Sequence, residues 1–220
     1  MVEQSPERAL TNVPAGVRYL HLPHPSDPLG WRKAWALNVG VQAAQAPVVV
    51  CHDADILVPV GYAREALRVL AEGAEVAQLG RFLFYLGPSA SAQVIASGSL
   101  RGAAAPDRVS QNWPGGTIAI RRRTFEEIGG FDEEFVGWGG EDNEFFDRCL
   151  SRRFARHAHL PFVHLWHPEQ PRKDDPMYRE EARIRLEGFL NRDRAARIEV
   201  LRRRPIAGSA VPETARPFSR

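Results

Sequence analysis

Two adjacent carboxylates, Glu141 and Asp142, stand directly behind a Trp138-Gly139-Gly140 turn. They open a segment in which Phe145, Phe146, Cys149 and Leu150 fall at helical spacing. A helix N-terminus favours negative charge, which accounts for the acids but not for the residues before them. Glycines allow the backbone to approach a bound molecule closely, and an indole beside a polar pocket offers a flat face for a sugar ring. The turn and its acids are therefore read as part of a ligand site. A second acidic pair, Asp53-Ala54-Asp55, lies between the apolar run 46–52 and Ile56-Leu57-Val58-Pro59. Aspartates at this spacing often serve a turn or a helix cap. Their position after a buried strand is where open α/β sheets bind ligands, and it raises the metal reading above that background. Two late histidines, His164 and His167, are the imidazole candidates. His21, His24, His52, His157 and His159 are read as ordinary structural histidines.

The elements that must carry these groups follow from periodicity. Residues 17–22 alternate as a strand, 30–44 form a helix with Trp31, Trp35, Leu37 and Val41 on its apolar side, and 46–52 read as a strand buried on both faces. A helix is expected over 62–72 and a strand within 76–86. Gly115-Gly116 lead into an alternating strand, Thr117-Ile118-Ala119-Ile120, with Trp113 just before it. A short amphipathic turn (Phe125, Ile128) ends at Gly129-Gly130, and a last short strand covers 162–167. Helices are expected over 177–190 and on to about 203. Between 87 and 114 the chain turns to Ala, Ser and Gly, which reads as a long loop of the kind that closes over a site. Strands alternating with helices predict an α/β domain with a mixed, mostly parallel sheet flanked by helices.

At 220 residues the chain holds one domain with a sizeable core, expected over 1–203, with a disordered tail over 204–220. The net charge of +2 excludes a general nucleic-acid field. The arginines of 192–204 read as a solvated helix face, and they leave peripheral contact with an anionic membrane surface open. Cys51 and Cys149 both fall on apolar faces, as buried thiols of a reducing, cytoplasmic setting rather than as a disulfide. There is no apolar run of transmembrane length and no signal-peptide pattern at residues 1–8. Asp147 and Arg148 read as a surface ion pair of little worth.

Residues 115–148 resemble the C-terminal part of the β-1,4-galactosyltransferases and, more widely, the metal-dependent glycosyltransferases of the GT-A fold. The double glycine, Gly129-Gly130-Phe131 and Trp138-Gly139-Gly140-Glu141-Asp142 fall in that family's order and at similar spacing. The polypeptide N-acetylgalactosaminyltransferases have a related turn ending in Glu-Asn, so Asp142 favours the inverting branch. The resemblance implies a sugar moved from a UDP-sugar to a hydroxyl of a glycan or glycoconjugate, with Mn²⁺ or Mg²⁺ as cofactor.

In residue terms it implies Asp142 as general base, with Trp138, Gly139, Gly140 and Glu141 shaping the acceptor site. Gly115, Gly116 and Trp113 lie along the donor. Asp55 binds the metal directly, with Asp53 nearer the ribose or a metal-bound water. The third ligand is one of His164 and His167; Pro168-Glu169-Gln170-Pro171 downstream favours His167. Asn38-Val39-Gly40 resembles the helix that precedes the acidic pair in that family, where an Arg usually stands at the position of Leu37; Arg32 or Lys33 is the substitute. The family's first strand and helix are missing from the pattern. Glu3 is then the remnant of the uridine site, at the end of what matches the family's second strand. Two alternatives stay open: a retaining N-acetylgalactosaminyltransferase-like enzyme, and a non-catalytic nucleotide-sugar or glycan-binding module.

Overall fold

The computed structural model describes residues 1–23, 31–137, 139–169 and 176–206. Strands β1 (Val2–Ser5) and β2 (Leu20–Pro23) come first, then helix α1 (Lys33–Ala43), β3 (Val48–His52), β4 (Ile56–Leu57) and α2 (Tyr62–Ala71). The middle of the chain holds β5 (Val76–Tyr85), α3 (Pro88–Ser97), β6 (Arg108–Gln111), β7 (Thr117–Arg121) and α4 (Arg122–Glu127). It closes with α5 (Glu141–Cys149), β8 (Phe154–His164), α6 (Pro176–Leu190) and α7 (Arg194–Arg203). The mixed α/β class is as expected. The elements gather into two compact units, one of residues 48–124 with 149–170, the other of 1–47, 125–148 and the described part of 171–220.

The first unit is built on a six-stranded sheet in the order β3-β7-β5-β8-β4, with β6 on β5. Its apolar centre is Ile56, Tyr62, Ala66, Leu70, Leu79, Leu83 and Phe162, with α2 laid on one face. The expected parallel majority is not found. Among the described residues only β5–β8 is parallel in this sheet; β3–β7, β7–β5, β5–β6 and β4–β8 are antiparallel. The long β5 serves three partners, β6, β7 and β8. Strand β3 is accordingly an antiparallel edge strand rather than one covered on both faces: Val49 and Cys51 are buried while Val50 is 43% exposed. Run hydrophobicity alone does not separate these two cases, because an edge strand keeps apolar residues on its outer face too.

Most of the expected long loop is structured. Pro88 sits in the first turn of α3, where its fixed φ fits, and Gly98 at φ 64° ends the helix. Ala90, Ser91 and Val94 are its buried residues. The exposed β6 then pairs Phe82 to Gln111 and Tyr85 to Arg108. Small side chains hid this helix, since Ala and Ser leave little hydrophobic periodicity to read. The last strand is also longer than expected, starting at Phe154 and stopping at His164. Arg156, His157 and His159 interrupt the apolar pattern of its first half.

In the second unit, β1 and β2 run parallel, with Leu20, Leu22 and Val39 buried and Val2 and Trp35 packed on them. Phe125, Phe131 and Phe145 form an aromatic cluster, the last two stacked at 4.0 Å. Asn38 is buried and locks the turn at Phe131 from both sides: its amide donates to the Phe131 carbonyl at 2.9 Å and its oxygen accepts the Phe131 N–H at 2.9 Å. Asp147 and Arg148 are not a surface pair. Arg148 is fully buried against Glu144 and the Ile128 carbonyl, and Asp147 accepts from Arg194 and Arg197 of α7. The residues of the expected tail from 207 onward lie outside the described residues.

Candidate functional site

In the sheet unit, the backbone fixes one acidic turn against two histidines. Residue 55 immediately precedes β4, whose Ile56 pairs with His164 at the end of β8. The Leu165 N–H donates to the Asp55 carbonyl at 2.8 Å, and the Leu86 N–H to the His164 carbonyl at 3.0 Å. The side chains meet there: the Asp55 Oδ2 lies 3.5 Å from His164 Nε2 and 3.1 Å from His167 Nε2. One donor atom from each of the three residues falls within 4.8 Å of the others. The second carboxylate oxygen of Asp55 is buried and has no hydrogen-bond partner among the described residues. Burial holds the His164 imidazole below its usual pKa, against the pull of the Asp55 charge.

The His167 Nδ1 is 2.8 Å from the Pro168 carbonyl. A carbonyl only accepts, so Nδ1 carries a proton, and Nε2 is the ring atom that faces Asp55. Two imidazole nitrogens and a carboxylate oxygen gathered this closely are a donor set that a divalent cation satisfies. The donor set thus fits the metal that the sequence pattern implies, with both His164 and His167 at the place.

Gly115 and Gly116 adopt φ 90° and 74°, a left-handed pair that other residues rarely sustain. The Gly116 carbonyl accepts the Asp53 N–H at 2.8 Å, which ties the double glycine to the acidic turn. A side chain at Gly116 would meet Ile56 at 2.5 Å and the Trp113 indole nitrogen at 3.1 Å. Trp113 packs edge-on to Phe162 at 5.9 Å above Gly80, so its ring belongs to the core of this unit, while its buried Nε1 has no hydrogen-bond partner among the described residues. Sequence reasoning missed Tyr85 and Arg108. The Tyr85 ring lies on His164 at 4.7 Å, and the Arg108 guanidinium lies 3.8 Å from the Tyr85 centroid. The alternation of Phe82, Phe84 and Leu86 already put Tyr85 on the opposite face, which was the available signal.

In the other unit, Glu141 and Asp142 open α5 as expected, behind Gly137, Gly139 and Gly140 at φ 85°, 99° and 93°. The Gly140 carbonyl accepts from the Glu144 N–H and begins the helix, and a side chain at Gly140 would strike Phe135 at 2.7 Å. At Gly139 the space is open. Trp138 lies outside the described residues. The Lys33 ammonium donates to Asp142 Oδ2 at 2.8 Å and stands 3.6 Å from Glu141 Oε1. Lys33, expected as a stand-in for the family's arginine, is therefore paired with the two site acids. Glu3 accepts from the Ser5 hydroxyl, the Tyr19 hydroxyl and the N–H groups of Ala9 and Leu10. Those donors, Ser5 and Tyr19 foremost, pull its pKa down to about 2.

Residues 104–165 match the family model described as the N-terminal domain of galactosyltransferase. This segment is galactosyltransferase-like. It contains Gly115, Gly116, Glu141, Asp142 and His164, and stops before His167. A chondroitin synthase of Escherichia coli is 39% identical over 61 residues, which make up 28% of this chain and 9% of that protein. The chain thus spans a small part of that relative. Similar solved structures include the catalytic domain of Drosophila β1,4-galactosyltransferase 7 in complex with xylobiose, at 20% identity and a TM-score of 0.45, covering 76% of this chain and 65% of that one. A Pyrobaculum calidifontis mannosyltransferase in complex with GDP-mannose and Mn²⁺ is 19% identical, with a TM-score of 0.46, over 80% of this chain and 47% of the other. Among the described residues no helix is long and apolar enough to cross a membrane.

Proposed function

We propose that the protein is a metal-dependent glycosyltransferase that moves a sugar from a UDP-sugar to a hydroxyl of a glycan or glycoconjugate, with inversion at the anomeric carbon. The observation that carries this reading is the gathering of Asp55 with two late imidazoles beside a double-glycine turn. The galactosyltransferase-like segment supports it. Asp55 and His167 would hold Mn²⁺ or Mg²⁺, which when bound would offset the charge that develops on the departing diphosphate. Gly115 and Gly116 let the main chain lie against the donor sugar, and Asp53 serves the ribose side.

Asp142 takes the proton from the acceptor hydroxyl as a bond forms from that oxygen to the anomeric carbon. The bond from the same carbon to the diphosphate breaks with its electron pair leaving on UDP, and the configuration inverts. Lys33 keeps Asp142 oriented between turnovers, and Glu141 with Gly139 and Gly140 lines the acceptor. Glu3 has a different part: its oxygens are occupied by its own neighbours, so its contribution is to fold residues 5–10.

Incubation with MnCl₂ and a panel of UDP-sugars, with and without oligosaccharide acceptors, tests the proposal through UDP release. Mn²⁺-dependent release that falls at least about 100-fold in Asp142→Asn supports it. Binding of UDP-sugar without release under any condition would instead indicate a binding module.

A further inference from the structure

The unit that carries Glu141 and Asp142 also holds a cleft that the proposed reaction leaves unassigned. Its volume is about 410 Å³, in the range of small-molecule sites, and it is lined by Glu134, Arg185, Gly188, Phe189 and Arg192. Phe189 forms the apolar wall and rests on the Phe135 ring at 4.8 Å. Phe135 is also the ring that Gly140 closes against, and Leu186 of α6 stands 3.7 Å from where a Cβ of Gly140 would be. The cleft therefore backs onto the turn that delivers the two acids. Its charges are uneven. Glu134 is neutralised by Arg204 at 2.6 Å. Arg185 reaches the Glu134 carbonyl at 3.3 Å, and the Arg192 guanidinium lies 5.3 Å from the Phe189 centroid. Among the described residues neither has a carboxylate partner, whereas Arg183, Arg194 and Arg197 nearby in the chain each have one. Cations at a helix C-terminus offset its dipole, which accounts for Arg192 but not for Arg185, more than a turn before Leu190. Glycine is a poor helix residue, and no close packing requires Gly188: a Cβ there would meet nothing within 4 Å. Residues 185, 188 and 192 fall at helical spacing, so the glycine leaves bare the surface that the two arginines flank.

We infer that this cleft binds an anionic sugar of the acceptor glycan, one that carries a carboxylate or a sulfate. Each guanidinium offers paired N–H donors to such a group, and Glu134, held by Arg204, adds no free negative charge to oppose it. The Phe189 edge gives the ring of the sugar an apolar neighbour. The inference rests on the glycosyltransferase reading for calling the glycan an acceptor; binding of the anion does not depend on it. A chain held here is anchored beside the turn of Gly139 and Gly140, away from the reacting hydroxyl. Acidic acceptors are then favoured through KM, with kcat left to Asp142.

The test is calorimetric titration of the full chain, without Mn²⁺ or UDP-sugar, with three oligosaccharides of equal length. One contains hexuronate residues, one is its carboxyl-reduced form, and one is neutral apart from sulfate esters. At least one acidic form should bind about 10-fold or more tighter than the carboxyl-reduced form, and less tightly as salt is raised. The tighter of the two acidic forms identifies the anion. Arg185→Gln and Arg192→Gln should each weaken that binding about 10-fold, and Gly188→Leu should block it by filling the bare surface. All three positions are exposed, and thermal melts check that each variant folds. Equal affinity for the acidic and carboxyl-reduced forms, or wild-type affinity in both arginine variants, overturns the inference while leaving the proposed reaction untouched. Acid-selective binding lost in the arginine variants, with no UDP release under any condition, keeps the cleft and removes the reaction.

Discussion

Asp142 and Lys33 form the most informative side-chain pair in the helical unit, since the lysine holds the proposed base in one orientation at 2.8 Å. A shift of about 1 Å in a reacting group costs roughly 100-fold in rate. Lys33→Ala should therefore lower turnover about 10- to 100-fold with little change in donor KM, and Lys33→Arg should restore much of it, both read by steady-state UDP release. A loss confined to KM would instead assign Lys33 to the donor. Glu3 carries the clearest pH effect. Its folded pKa is depressed, so the stabilisation it gives is complete above its ordinary value of 4.5 and is lost as the pH falls toward about 2. The amides of Ala9 and Leu10, which donate to this carboxylate, should lose their hydrogen-exchange protection through that window. In Glu3→Gln their protection should be weak and independent of pH across it.

At the level of elements, the double glycine decides how the acidic turn sits. Gly116→Ala places a Cβ at 2.5 Å from Ile56 on a residue at φ 74°. A left-handed conformation alone costs about 1–2 kcal/mol for a non-glycine residue. Denaturant midpoints should fall accordingly, and Mn²⁺ affinity should fall with them, because the Gly116 carbonyl holds Asp53. An unchanged affinity would separate the turn from the metal site. Most of this machinery was legible in the sequence: the acidic pair after a strand, both glycine turns, and α5 beginning at its two acids. What stayed hidden has physical causes. The Ala and Ser of α3 carry no strong apolar stripe, and the polar first half of β8 masks its alternation. The direction of β3 and β7 is set by pairing partners that lie far apart in the chain, such as Val49 and Ile120, 71 positions apart, and no local pattern records it.

For the molecule as a whole, stability in the helical unit depends on ionic groups that the sequence presents as surface charge. Glu144 and Arg148 are both fully buried, and Arg197 reaches Glu144 from 53 residues downstream. That separation is why α5 looked exposed on its charged side: its partner helix, α7, comes last in the chain. Removing one member of such a network strands the others, at a cost of about 3–5 kcal/mol. Arg148→Ala should show that loss as a lower urea midpoint, whereas a change below about 1 kcal/mol would place the pair in water. The account as a whole turns on Asp142 and the stereochemistry it imposes. The most direct test is proton NMR of the anomeric signal of freshly formed product, with an α-linked UDP-sugar and Mn²⁺. Inversion predicts a β-configured product at the first time points and none from Asp142→Asn. An α-configured product, or β product formed equally well by the variant, would contradict it.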